Sequence, residues 1–181
     1  MDKLNTRARS ELETYNLPQL FDTLDWSVQD DRATLGSASI DQVRERFKLW
    51  RAETVRQLNC LAAAENLPRF NYCLHVDEAA LRSVVDAPAP PPPRFLIPGR
   101  DPAKYTYIYY KGYVNLINAE WDEEAGRDSG IDGRVVDGKT YADVGHCRVV
   151  ADWLVPGTYW FLSTWVGWTS MYRRPPEITC Y

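Results

Sequence analysis

The sequence predicts a single α+β domain in which a mainly antiparallel sheet packs against two amphipathic helices. Three observations predict it. Apolar residues recur at helical spacing over 39–65 and again over 156–171, as they do on helices with one buried face. Between these helices, the strand-rich run 95–150 has turns too short for parallel crossovers, which need about a dozen residues. A chain of 181 residues has the size of one domain.

Composition and charge restrict the class of protein. Apolar residues make up 45% and charged residues 25% of the chain, which is typical of a globular protein. The net charge is −4 and the basic residues are scattered, so no nucleic-acid partner is expected, because nucleic acid is bound by clustered positive charge.

The predicted location is cytoplasmic. No apolar run approaches the roughly 20 residues of a membrane span, and the first residues lack the apolar stretch of a secretory signal. The four cysteines have no metal-ligand spacing, which suits free thiols in a reducing compartment. We therefore expect no membrane partner and no cofactor.

Four parts follow one another along the predicted domain. An N-terminal arm, 1–38, contains a short helix over 6–15 and is anchored by Leu20, Phe21 and Trp26. The helix-rich part, 39–86, begins at a capping box formed by Ser39 and Gln42. A polyproline spacer, APAPPPP, occupies 87–93, because consecutive prolines exclude helix and central strand. The strand-rich part, 94–181, ends in the second helix.

Within these parts, local patterns predict the shorter elements. Residues 71–76 alternate and predict a strand, after which Asp77 caps a helix over 78–85 whose inward residues are Leu81, Val84 and Val85. Further strands are predicted at 95–97, 105–110, 113–119, 135–136 and 145–150, with a hairpin-type turn at Asp137-Gly138. The acidic stretch 121–133 is predicted to be a solvated loop without regular structure.

The aromatic stretch YWFLSTWVGWTSMY, 159–172, is interpreted as part of the second helix. Phe161, Trp165, Trp168 and Tyr172 fall on one stripe of a helix over 156–171. The stripe predicts that Trp165, like Trp50 on the first helix, is buried in the core. Trp160 lies off the stripe and is predicted to stay partly exposed.

Three stretches resemble uncharacterised intracellular proteins of filamentous fungi. They are VDEAALRSVVDAP (76–88), DVGHCRVV (143–150) and YRRPPEI (172–178). None is a recognised catalytic signature. The resemblance implies a fungal cytosolic setting and supplies no activity.

Two histidines and their neighbours are the candidate site residues. His75 and Asp77 stand at the end of one strand, and Asp143 and His146 stand beside another, so neighbouring strands would bring N and O ligands of a divalent ion together. The alternative, which we favour, is local hydrogen bonding without a metal. Cys147 follows His146 directly, but adjacent strand residues point to opposite faces, so His146 is not the base of a Cys147 nucleophile.

A tyrosine ladder predicts the wall of a cleft. Alternation places Tyr107 and Tyr109 on one side of their strand, and the expected ligand-binding residues are Tyr107, Tyr109, His75 and His146, with Asp77 and Asp143 orienting the imidazoles. Carboxylate partners would raise the pKa of both histidines.

Two functions follow from these patterns, and the sequence leaves open whether the protein is an enzyme. No common nucleotide-binding, serine-hydrolase or zinc-protease motif occurs. The first hypothesis is a non-catalytic module that binds a protein or small molecule in an aromatic-lined groove. The alternative is a small-molecule enzyme, with or without a metal, whose pocket lies near His75 and His146.

Overall fold

Helices, a four-stranded sheet and a two-stranded hairpin make up the computed structural model, which describes residues 2–58, 67–86 and 112–179. The α+β class predicted from the sequence is confirmed in this form. The polyproline spacer, the predicted strands at 95–97 and 105–110, and the predicted end of the 39–65 helix lie outside the described residues.

The first half of the chain is mainly helical. Its elements, in order, are α1 (Asp2–Thr14), a 3₁₀ turn (Pro18–Thr23), α2 (Arg32–Leu35), α3 (Ile40–Leu58), α4 (Pro68–Asn71), β1 (Tyr72–His75) and α5 (Glu78–Val85).

The second half carries most of the strands. Its elements are β2 (Tyr113–Asn118), α6 (Glu123–Asp128), β3 (Ile131–Val136), β4 (Lys139–Tyr141), β5 (His146–Val150), a 3₁₀ turn (Ala151–Trp153), a π turn (Leu154–Thr158), α7 (Tyr159–Leu162), α8 (Gly167–Met171) and β6 (Ile178–Thr179).

Two helix starts are confirmed at the atomic level. The amide of Ser39 donates to Oε1 of Gln42 at 2.9 Å, and the amide of Gln42 donates to Oγ of Ser39 at 3.2 Å. This reciprocal pair is the predicted capping box. Asp77 accepts the amide of Ala80 at 2.7 Å, so it caps α5 as predicted, although Leu81 and Val85 of that helix are about half exposed.

The hairpin β3–β4 confirms one prediction and corrects another. Asp137 and Gly138 form its turn with φ of 48° and 77°, the left-handed conformation that a tight hairpin turn requires. The acidic stretch before it is not a loop throughout. Asp122 accepts a hydrogen bond from the amide of Ala125 and is the N-cap of α6, and β3 begins at residue 131. Local side-chain capping therefore starts a helix in spite of the acidic composition.

The four-stranded sheet has the order β1-β2-β5-β6. The pairs β1–β2 and β2–β5 are antiparallel, and β5–β6 is parallel. Because strand side chains alternate between faces, Val114 and Leu116 of β2 lie on the same face as Cys147 and Val149 of β5. We call this the apolar face, since all four belong to the main hydrophobic cluster, and we call the other the polar face.

The aromatic stretch that follows β5 is not one helix. It divides into α7 and α8, which approach closely at Gly167, where an added Cβ would lie 2.5 Å from the carbonyl oxygen of Phe161. Trp168 and Met171 are buried in the cluster on the apolar face. Trp165 is 97% exposed, so its predicted burial is wrong: the break turns it out of the stripe. Trp160 is 65% exposed, as predicted.

The long helix α3 lies on the other side of the sheet. It contacts β1 and β2, and its Val55 and Trp50 pack with Phe70 in a cluster separate from the one on the apolar face. The prediction that both long helices cover one face is therefore wrong. Trp50 of α3 is half-buried and stacks on Phe70, with ring centroids 6.4 Å apart.

Arg44 is the most connected side chain of α3. It is 3% exposed, donates to the carbonyls of Asn118 and Gly145 at 3.0 Å each, and pairs with Asp41. Its guanidinium also lies 4.8 Å from the ring centroid of Trp121. One side chain thus joins the helix to the ends of β2 and β5.

The N-terminal arm packs on the segment after β5. Ala8 and Leu12 of α1 are buried, and α1 contacts both turns of 151–158. Trp26 donates from Nε1 to Oδ1 of Asn5 at 2.9 Å, a contact within the arm, and Leu20 is 43% exposed, so α1 and not the predicted anchor residues makes the described contact with the body. Across the described ranges, no helix combines the length and the apolar character needed to cross a bilayer.

Truncation of Trp168, in α8, and truncation of Trp165, in the turn before α8, should have very different effects on stability. We expect Trp168→Ala to lower the free energy of unfolding by about 3–5 kcal/mol, because it empties a core position. Trp165→Ala should change it by about 0.5 kcal/mol or less, as exposed substitutions do. Chemical denaturation of both variants is the measurement, and equal effects would contradict the described break of the helix.

Arg44 offers a second test, with Arg56 on the same helix as its control. Arg44→Met leaves the Asn118 carbonyl without its donor, and an unsatisfied buried polar group costs about 1–3 kcal/mol. We expect a loss of about 2 kcal/mol or more. Arg56 pairs with Glu53 at the surface, so Arg56→Met should cost about 0.5 kcal/mol or less. A neutral Arg44→Met in denaturant titrations would refute the role given to Arg44.

Candidate functional site

Three polar residues form a row across the polar face of the sheet. His75 of β1 is opposite Asn115 of β2, and Asn115 is opposite Arg148 of β5. Directly opposed residues on antiparallel strands place their side chains on the same face, with Cβ atoms about 5 Å apart. The strand pairing therefore brings together an imidazole, an amide and a guanidinium.

Asn115 is the fixed centre of this row. It is 3% exposed, and its Nδ2 donates to Oδ2 of Asp77 at 2.9 Å. The other oxygen of Asp77 caps α5, so the carboxylate itself is immobilised by the helix. A buried amide held in this way presents its remaining donor and acceptor in one orientation.

The side chain of Arg148 extends from β5 towards β2. Its guanidinium carbon lies 4.4 Å from the ring centroid of Tyr113, a cation–π distance, and Tyr113 is two residues from Asn115 on the same face. Arg148 makes one long hydrogen bond, 3.4 Å from Nη1 to the carbonyl of Pro176. In the part of the chain that the structure describes, no carboxylate forms an ion pair with it.

His75 is a neutral imidazole at neutral pH. Burial lowers its pKa, and the nearby charge of Asp77 opposes this effect without overcoming it. The prediction that its carboxylate partner raises the pKa of His75 is therefore wrong. Its Nδ1 is buried and has no hydrogen-bond partner among the residues described, which leaves one ring nitrogen able to bind a ligand.

His146 lies on the same face but at a distance from His75. It is opposite Ile117, two residues along from Asn115, so sheet geometry separates the Cα atoms of the two histidines by about 12 Å. Burial lowers the pKa of His146, against the effect of Asp137, whose Oδ2 is 3.5 Å from Nε2. The strand register therefore does not pair the two imidazoles, and each has a different neighbouring carboxylate, Asp77 and Asp137.

Asp143 is engaged elsewhere than at His146. Its Oδ1 accepts a hydrogen bond from the amide of Gly145 at 2.7 Å, and its Oδ2 accepts one from Nε1 of Trp168 at 2.7 Å. This carboxylate fixes the turn before β5 and orients a core tryptophan, while the carboxylate near His146 is that of Asp137.

The two described cysteines have low chemical reactivity. Burial raises the pKa of Cys73 and of Cys147 to about 12 each, so both are thiols at neutral pH, and a thiol is a poor nucleophile and metal ligand. No group of three or more His, Cys, Asp or Glu side chains within the described ranges could hold a metal ion.

Only part of this row was predicted from the sequence. His75 and Asp77 were predicted site residues, whereas Asn115 and Arg148 were not. The signal was present, because each is a polar residue flanked by apolar residues within its strand, YVNLIN and HCRVV. Tyr107 and Tyr109 lie outside the described residues, so their placement stays a prediction.

A second candidate site is the aromatic surface, which we define as Tyr159, Trp160 and Trp165. Their exposed fractions are 45%, 65% and 97%. Trp160 packs edge-on against Phe161, with ring centroids 6.4 Å apart, so it has a fixed support.

A charged depression of about 190 Å³ lies between α3 and the start of α6. Trp121 is in its wall, and Lys139 donates to Asp41 there at 2.6 Å. Burial disfavours the charged form of Asp41, but hydrogen bonds from Lys139 and Arg44 outweigh it and hold its pKa below the usual value. Its charges are thus largely paired with one another.

Because burial lowers the pKa of both histidines, acid should destabilise the protein. Between the folded pKa and the unfolded value of about 6.5, the unfolded chain binds more protons, so stability falls as pH decreases through this range. We expect the urea midpoint to drop from pH 7.5 to 5.5 and to drop less in His146→Gln. Described carboxylates with lowered pKa values titrate below this window. An identical drop in the variant would contradict the expectation.

Comparison with protein-family models, with curated proteins and with solved structures finds no match to this chain. Function must therefore be argued from the two candidate sites themselves.

Proposed function

We propose that this protein is a non-catalytic binding module whose aromatic surface binds an extended, proline-rich segment of a protein partner. The observation that carries the proposal is the exposure of Trp165, 97%, five residues after the 65% exposed Trp160. Tryptophan and tyrosine are enriched in protein interfaces and dominate their binding energy. The exposure of an aromatic patch to water is unfavourable, and binding a partner removes this exposure.

The charge pattern supports a proline-rich partner. No charged residue occurs between Asp152 and Arg173, so the segment that carries the aromatic surface offers no side chain for ion pairing. Polyproline segments need none: they are stiff before binding, lose little entropy, and dock their rings on exposed tryptophan and tyrosine.

Two further predictions belong to this proposal. Tyr107 and Tyr109 are expected to extend the binding groove, and the protein is expected to act in the cytoplasm of a filamentous fungus. The alternative, a small-molecule enzyme, is less favoured, because the strand register does not pair the two histidines and the described cysteines are thiols.

The proposal is tested with a peptide of sequence APAPPPP, which occurs in this chain at 87–93. Isothermal titration should detect binding to the wild-type protein and no binding of the same peptide with alanine at every proline. Truncating an aromatic residue that dominates an interface costs about 2 kcal/mol or more, so Trp165→Ala and Trp160→Ala should each weaken binding at least about thirtyfold.

Leu49→Ala is the matched control, because Leu49 is 73% exposed on α3 and outside the aromatic surface. It should bind the peptide like wild type. Peptide binding that survives in both tryptophan variants, or that is absent from the wild-type protein, would refute the proposed function.

A further inference from the structure

We propose that the polar face of the sheet binds a small monocarboxylate, held between Arg148, Asn115 and His75. This site is separate from the aromatic surface and does not rest on the function proposed for it. The strand register carries the inference, because it places the three side chains in one row on one face.

The guanidinium of Arg148 supplies the charge. It has no carboxylate partner in the described part of the chain, and its one hydrogen bond is long, 3.4 Å. Contact with the ring of Tyr113, 4.4 Å from the guanidinium carbon to the ring centroid, leaves most of its five N–H donors available. A planar guanidinium with free donors is matched by a carboxylate, which accepts two parallel hydrogen bonds.

Asn115 and His75 supply the remaining contacts. Asn115 is held by Asp77, so its second N–H is directed without further loss of side-chain freedom. The buried Nδ1 of His75 lacks a partner among the described residues, and a buried polar atom without a partner is a destabilising feature that a ligand can relieve. Neutral imidazole donates one N–H, which suits a carboxylate oxygen.

The charge balance favours a monoanion over phosphate. Arg148 contributes one positive charge, and Asp77, which is bonded to Asn115, contributes one negative charge close by. A ligand with a single negative charge pairs with Arg148 at a tolerable cost, whereas a dianion would place a second charge near the Asp77 carboxylate.

The two histidines of the chain make the test direct. Proton–carbon NMR spectra of the imidazole rings are recorded at pH 7.5 while sodium acetate replaces sodium chloride at constant ionic strength. We expect a saturable shift of the His75 resonance and no shift of His146, which lies about 12 Å away. His146→Gln assigns the two signals. Sodium phosphate, titrated in the same way, should bind more weakly than acetate.

Arg148→Gln should raise the dissociation constant of acetate about tenfold or more, because it removes a charge-assisted pair. Arg173→Gln, which removes an equal charge from an exposed position, should leave it unchanged. If Arg148→Gln does not fold, Arg148→Lys keeps the charge, loses the planar fork and should weaken binding severalfold. Unsaturable shifts, equal shifts at both histidines, tighter binding of phosphate, or unchanged affinity in the Arg148 variants would overturn the proposal.

Discussion

A single buried guanidinium, that of Arg44, determines how the long helix meets the sheet. Its hydrogen bonds to Asn118 and Gly145 hold the ends of β2 and β5 against α3. The contact leaves no room for a side chain at Gly145, where φ is 75° and a Cβ would lie 2.6 Å from Nη2 of Arg44. Its charge also adds to the effect of burial, the main cause of the lowered pKa of His146.

Local signals predicted much of this fold. The capping box at Ser39, the cap at Asp77 and the turn at Asp137 involve residues within a few positions of one another, so the sequence contains each complete interaction. Long-range features were not predictable in this way. Arg44 is one of several arginines on α3, and its two carbonyl partners are 74 and 101 residues away along the chain.

The same distinction applies to the candidate sites. Periodicity found the aromatic stripe, but the break between α7 and α8 depends on the close packing of Gly167, and this decides that Trp168 is inside and Trp165 is outside. On the polar face, His75 and Asp77 were predicted from their local motif. Asn115 and Arg148 join them only through strand register, which a single sequence does not state. The candidate row thus lies on a face that also carries the buried apolar residues Tyr113, Ile117 and Val150.

The packing of α1 on the segment 151–158 joins the first helix to a segment far away along the chain. Closing so long a loop costs entropy that the contact must compensate. The parallel pairing of β6 with β5 has the same dependence on distant segments. Contacts between residues far apart in sequence slow folding, so we expect the docking of the terminal arm and the pairing of β6 to slow the folding of this protein.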